Sequence, residues 1–143
     1  KLNILFPSRW GLQQDKKENF VNVLIDNEKN FNLFFELFEL KLSDNKNNND
    51  ARVTDFITEI IKDVEVKNQK LEKSEENNYI FSFYSLEKNK DKNFKNYIWY
   101  RILIKGLKIT MISFVFNFES KHNLFGEIYY TKINDLIKSS ELN

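Results

Sequence analysis

The chain has 143 residues, enough for one domain whose core buries about 68–70% of the surface its unfolded form exposes. Hydrophobic residues make up 41% and charged residues 30%, which excludes wholesale disorder, while three Gly and one Pro exclude collagen-like and glycine-loop architectures. Twenty-two Lys and Arg against 21 Asp and Glu leave a formal charge of +1, no bulk field for nucleic acid or an anionic membrane.

Leu2 to Trp10 opens with an apolar alternation that ends at Pro7, the only proline, and reads as an early strand. Gly11 to Asn19 is polar and reads as a loop. Phe20 to Ile25 is β-branched, ends at Asp26-Asn27, and predicts a strand. Phe31 to Leu42 sets Phe31, Leu33, Phe35 and Leu37 against Asn32, Phe34, Glu36 and Phe38, a strand pattern that also fits a helical period. The strand-rich context favours strand, with Glu36 and Glu39 guarding a sheet edge. Ser43 to Asp50 is a polar loop, and Asp50 is the expected N-cap of the helix that follows. Val53, Phe56, Ile57, Ile60, Ile61 and Val64 form its apolar stripe, with Arg52, Asp55, Glu59 and Lys62 on the solvated side.

Val64 to Lys73 alternates weakly, and Tyr79 to Leu86 strongly. Glu87 to Lys95 reads as a charged link in solvent. Asn96 to Lys105 and Leu107 to Phe118 then meet across Gly106, the spacing of a hairpin. Leu124 to Lys138 predicts a closing helix with Phe125, Ile128, Tyr129, Ile133, Leu136 and Ile137 on one stripe. Strands in succession with few helices between them mean an antiparallel sheet. The expected fold is α+β: one domain over 1–143, with about six strands sandwiched by two main helices.

An early strand ending in Pro7-x-x-Trp10, a mid-chain helix, a long meander and a closing helix together resemble the PsbP-like α/β/α sandwich family. A Ran-binding nuclear import factor shares that fold. The Trp99-Tyr100-Arg101 strand, the Gly106-x-Lys108 turn and the terminal Ile137-Lys138-Ser139-Ser140 are similar to its bacterial, uncharacterised branch. The resemblance covers nearly the whole chain. It implies a role as adaptor, assembly factor or partner of a secreted toxin, an enzymatic role being untypical of such relatives.

The residues themselves offer little chemistry. Zero Cys excludes disulfides, thiolate nucleophiles and cysteine metal sites. No G-x-S-x-G, phosphate-binding loop or dinucleotide fingerprint occurs. His122 is the only histidine and has no carboxylate at i+3 or i+4, so it reads as a surface or capping group. Glu36 and Glu39 point to opposite faces of a strand. Only a helix there would let them converge, which is the route to the rival reading, a small hydrolase or nuclease using Glu36, Glu39 and His122. Lys88, Lys90, Lys92 and Lys95 alternate with Asn and Asp, without the aromatic platforms a nucleic-acid surface needs. No apolar run approaches the roughly 18–20 residues of a membrane span.

Tyr97, Trp99 and Arg101 share one strand face. Trp, Tyr and Arg dominate protein-binding hot spots, so these three and Trp10 are the candidate partner-binding residues. For Trp99 alone a core position under a helix is the favoured expectation, and Trp10 reads equally as a lid on the core or an exposed anchor. The sequence therefore predicts a non-enzymatic protein-binding module without metal or cofactor, foremost a toxin-neutralising immunity protein or secretion adaptor. The alternative is a periplasmic or lipid-anchored assembly factor. Because the chain starts at Lys1, a start methionine, with room for a signal peptide or lipoprotein anchor, is expected upstream. Localisation stays open on sequence grounds, with the cytoplasm favoured and the periplasm allowed.

Overall fold

The strongest apolar alternation in the sequence forms the middle of a sheet. The computed structural model describes residues 2–14, 20–26, 31–41, 48–75 and 77–143. In chain order the elements are β1 (Leu2–Asn3), β2 (Gly11–Gln14), β3 (Phe20–Asp26), β4 (Phe31–Lys41), α1 (Asn49–Ile60), β5 (Lys67–Glu75), β6 (Asn78–Asn89), β7 (Lys92–Lys105), β8 (Lys108–Glu119), a 3₁₀ turn (Ser120–His122), α2 (Asn123–Ser139) and β9 (Glu141–Leu142). Seven strands make one sheet in the order β2-β3-β4-β8-β7-β6-β5, and β1 pairs separately with β9. Every pairing is antiparallel. The chain runs β2 to β4 as one meander, crosses through α1 to the far edge, and returns as a second meander that seats β8 against β4.

The α+β expectation holds, with a seventh strand in the main sheet. Gly11–Gln14, read as loop, pairs with β3 from Gly11↔Leu24 to Gln14↔Val21. The rest of that expected loop, 15–19, lies outside the described residues, as does 42–47 of the loop before α1. β4 is a strand between β3 and β8, so Glu36, opposite Phe20 of β3, guards no sheet edge, while Glu39 lies beyond the described β3 pairing. The charged link Glu87 to Lys95 is instead the tip of the β6–β7 hairpin, paired out to Asn89↔Lys92. The Gly106 hairpin forms as expected, with Lys105 opposite Lys108. Gly106 opens that two-residue turn at φ 58, a conformation glycine adopts freely.

Two apolar clusters flank the sheet, one under each helix. On the α1 side, Val53 and Ile57 pack on Phe81, Phe83, Ile102 and Met111. On the α2 side, Ile133 and Ile137 pack with Trp99, Phe114 and Phe116, and the N-terminal segment adds Trp10.

Local details of both helices depart from the pattern reading. Asn48, not Asp50, is the N-cap of α1, its Oδ1 accepting from the Ala51 amide at 2.8 Å. Asp50 sits in the first turn, where it accepts from the Tyr79 hydroxyl and, at 3.2 Å, from Lys73 Nζ. Those two hydrogen bonds, Tyr79's the larger influence, hold its carboxyl below the usual range. Arg52 is buried rather than solvated. It donates to Asn49 Oδ1 at 3.0 Å and to the Gly106 carbonyl at 2.5 Å, tying α1 to the β7–β8 turn. On α2 the expected stripe holds at Tyr129, Ile133, Leu136 and Ile137, all in or packed against the core. It fails in the first turns, where Phe125 and Ile128 are 45% and 59% exposed and Gly126 is buried instead.

Candidate functional site

The pleat that makes Tyr97, Trp99 and Arg101 neighbours on one face also places them beneath α2. All are at most 7% exposed, as is Trp10. The Tyr130 ring stacks on Tyr97 with centroids 3.9 Å apart and lies 5.7 Å from Trp99. Trp99 Nε1 donates to Asn134 Oδ1 at 2.9 Å, and Arg101 Nη1 to the Ile137 carbonyl at 3.0 Å. Trp10 packs 6.0 Å from the Phe6 ring, with the Lys132 ammonium 5.8 Å from its own centroid. As placed, the four residues hold α2 and the N-terminal segment to the sheet instead of presenting an open surface. Their residue type suits a hot spot, but their strand face is the one the closing helix covers.

The rival catalytic set does not assemble. Glu36 and Glu39 lie on opposite faces of β4, opposite Ser113 and Thr110 of β8. His122 packs edge-on against Phe31, five residues or about 17 Å of strand from Glu36. Among the described residues no three His, Cys, Asp or Glu side chains are grouped to hold a metal.

One polar cluster sits beside Trp99. The Tyr97 hydroxyl lies 2.6 and 2.7 Å from the two carboxylate oxygens of Glu127. Lys95 donates to the same carboxylate at 2.8 Å, its ammonium 4.5 Å from the Tyr84 centroid and 4.8 Å from that of Tyr97. Lys95 is thus half-buried and partnered, unlike the solvated lysine its flanking sequence suggests. Burial, then the Glu127 carboxylate, pushes the Tyr97 phenol well above its usual range, and burial also raises Tyr100 and Tyr130. The folded chain therefore keeps phenol protons that the unfolded chain loses near pH 10. Stability is full below that pH and falls as pH rises through it. Urea midpoints should drop between about pH 8 and about pH 10.5, and Tyr97→Phe should reduce the drop. An unchanged drop in the variant would show that Tyr97 does not carry it.

The open concave site lies beyond the end of α2. Cross-strand register sets out its rows on the α2 face of β4, β8 and β7. Phe35, Phe114 and Trp99 form the innermost, followed by Leu37, Ile112 and Arg101. Glu39, Thr110 and Leu103 come next, and Lys41, Lys108 and Lys105 form the outermost row. α2 ends over the second row, where Arg101 meets the Ile137 carbonyl. Past it a half-open groove of about 410 Å³ remains, floored by Val21, Phe35, Leu37, Leu103 and Ile112. The β1–β9 strap closes one side through Leu2 and Leu142, and Glu39, Lys105 and Lys108 stand at the mouth. Its volume falls in the ~300–1,000 Å³ range of small-molecule pockets. A second depression of about 550 Å³ shares Glu39, Lys105 and Lys108 and continues to Leu107 on the hairpin. An apolar floor ending at a basic rim can bury a chain and face an anionic end.

The chain matches no protein-family model and no curated protein. Its fold is that of LpqN from Mycobacterium tuberculosis, a protein involved in cell envelope biogenesis. The two superimpose with a TM-score of 0.65 over 97% of this chain and 81% of that one, at 8% identity. A structure from Bacteroides thetaiotaomicron gives a TM-score of 0.44 at 14% identity, over 80% of this chain and 37% of that one. At 8% identity the likeness to LpqN speaks for the fold alone. It supports the sandwich that the sequence resemblance implied, while no family model adds a narrower assignment. Among the described residues no helix is long and apolar enough to cross a membrane.

Proposed function

We propose that this chain is a non-enzymatic binding module of the cell envelope, an assembly factor that works by holding a partner or ligand. The observation that carries the proposal is the likeness to LpqN, an envelope-biogenesis protein, along nearly the whole chain. The resemblance to the bacterial branch of PsbP-like domains, adaptors and assembly factors among them, points the same way. A binding role also suits the site, whose groove has an apolar floor and a lysine rim. The likeness to LpqN lends no support to a toxin-neutralising role.

Cell fractionation and gene deletion test the proposal in cells that carry the gene. The protein should be recovered with the envelope fraction. Its deletion should sensitise cells to detergents and envelope-active antibiotics, with rescue by the intact gene. Recovery in the cytosol alone, with no envelope phenotype on deletion, would overturn it.

A further inference from the structure

Three lysines from three strands stand side by side at the groove mouth. Lys41 is directly opposite Lys108, and Lys108 is directly opposite Lys105. Side chains so paired have Cβ atoms about 4.5–5.5 Å apart, and like charges there repel. Glu39 offsets one of the three, its Oε1 3.2 Å from Lys108 Nζ. Among the described residues Lys41 and Lys105 make no ion pair. Among the described residues two positive charges therefore remain at the end of an apolar channel, sharing a depression with the exposed leucines Leu40 and Leu107. Such a row costs stability in the empty protein and is relieved when an anion sits against it.

Inward from the lysines the rows turn apolar within two steps, to Leu37 and Ile112 and then to Phe35 and Phe114. The polarity gradient is that of a molecule with a carboxylate head and a hydrocarbon tail. We propose that the groove binds the free form of a single-chain anionic amphiphile, a fatty acid, with its tail on Val21, Phe35, Leu37 and Ile112 and its carboxylate against Lys105 and Lys108. Glu39 stays on Lys108, so Lys105 is the principal partner of the head group. Sequence alone does not reveal the site, because the lysines are 64 to 67 residues from Lys41 along the chain and meet only through the β4–β8 pairing. The inference deepens the binding role proposed above and rests on it, but not on where in the cell the protein works.

The test is a fluorescence titration of the full chain with cis-parinaric acid and, in parallel, with its methyl ester. A charge-assisted contact to the head group predicts saturable binding of the acid, about tenfold tighter than the ester. The double variant Lys105→Gln/Lys108→Gln should lose that preference and leave the ester affinity unchanged. Lys88→Gln, on the far hairpin, should change neither. Leu37→Asp should weaken acid and ester together, with its fold checked by circular dichroism. Equal affinity for acid and ester, or a preference that survives the double variant, would overturn the proposal. So would sedimentation with phosphatidylglycerol vesicles in the absence of parinarate binding, which would make the lysine row a bilayer contact. An envelope protein that ignores the acid sinks this inference alone, whereas a cytosolic one that binds it sinks only the envelope reading.

Discussion

Replacing Trp99 with alanine is expected to lower the unfolding free energy by about 3–5 kcal/mol, the usual range for emptying a large buried aromatic site. The indole is 1% exposed. It is flanked by Tyr97 at 6.2 Å and Tyr130 at 5.7 Å between centroids, so neither wall can collapse without breaking the 3.9 Å stack those two tyrosines make. Truncation also strips Asn134 of its Nε1 donor. Trp99→Phe keeps a six-membered ring in the site and loses the Nε1 donor with the rest of the indole, so its cost should be smaller, about 1–3 kcal/mol. Urea denaturation followed by far-ultraviolet circular dichroism is the suitable readout, since Trp99 is one of only two tryptophans and its removal distorts fluorescence. A loss below about 1 kcal/mol for the alanine variant would mean that the α2 face is not the main core.

Elements whose side chains alternate against a buried face were legible, and those held only by backbone pairing were not. β4, β7 and β8 carry the period of two that a covered sheet demands. Gly11–Gln14 has no such period, because an edge strand can be held by its hydrogen bonds to β3 while its side chains face solvent. The hairpin tip from Glu87 to Lys95 extends past the covered part of the sheet, so nothing selects apolar residues there. Arg52 carries no local signal at all. Its burial follows from the Gly106 carbonyl, 54 residues away, which accepts its guanidinium.

The candidate site was legible only in part, for the same reason. The period of two puts Tyr97, Trp99 and Arg101 on one face, but which helix covers that face is a tertiary fact. The groove mouth is the opposite case: Lys41, Lys105 and Lys108 read individually as the polar ends of strands. The β4–β8 pairing, which closes about 70 residues of intervening chain, turns them into a row. The cluster of Tyr97, Glu127 and Lys95 likewise draws on β7 and α2: in the sequence Tyr97 reads as a partner-binding candidate and Lys95 as a solvated residue, and nothing local joins them to Glu127.

The departure of α2 from its expected stripe is confined to its first turns, at Phe125 and Ile128, and Gly126 tests its steric origin. Residues 125, 128, 129 and 133 and residues 126, 130, 133 and 137 both satisfy a period of 3.6, so hydrophobic spacing alone does not choose between them. Glycine at 126 chooses, because without a Cβ the helix can lie directly on the Phe118 ring. An added Cβ would come within 2.4 to 2.7 Å of three Phe118 ring atoms. That ring cannot swing aside. It is 2% exposed and boxed in by Phe31, Tyr97 and Phe116 at 5.4 to 6.2 Å between centroids. In an unconstrained helix, alanine for glycine would stabilise by about 1 kcal/mol. Here overpacking of about 3 kcal/mol opposes that gain, so Gly126→Ala should destabilise by about 2 kcal/mol net. The paired change Gly126→Ala with Phe118→Leu should recover part of the loss by making room. Urea midpoints of the two variants decide the matter: a single variant as stable as the parent would mean that α2 does not sit on Phe118, and that the exposed Phe125 and Ile128 belong to its buried face after all.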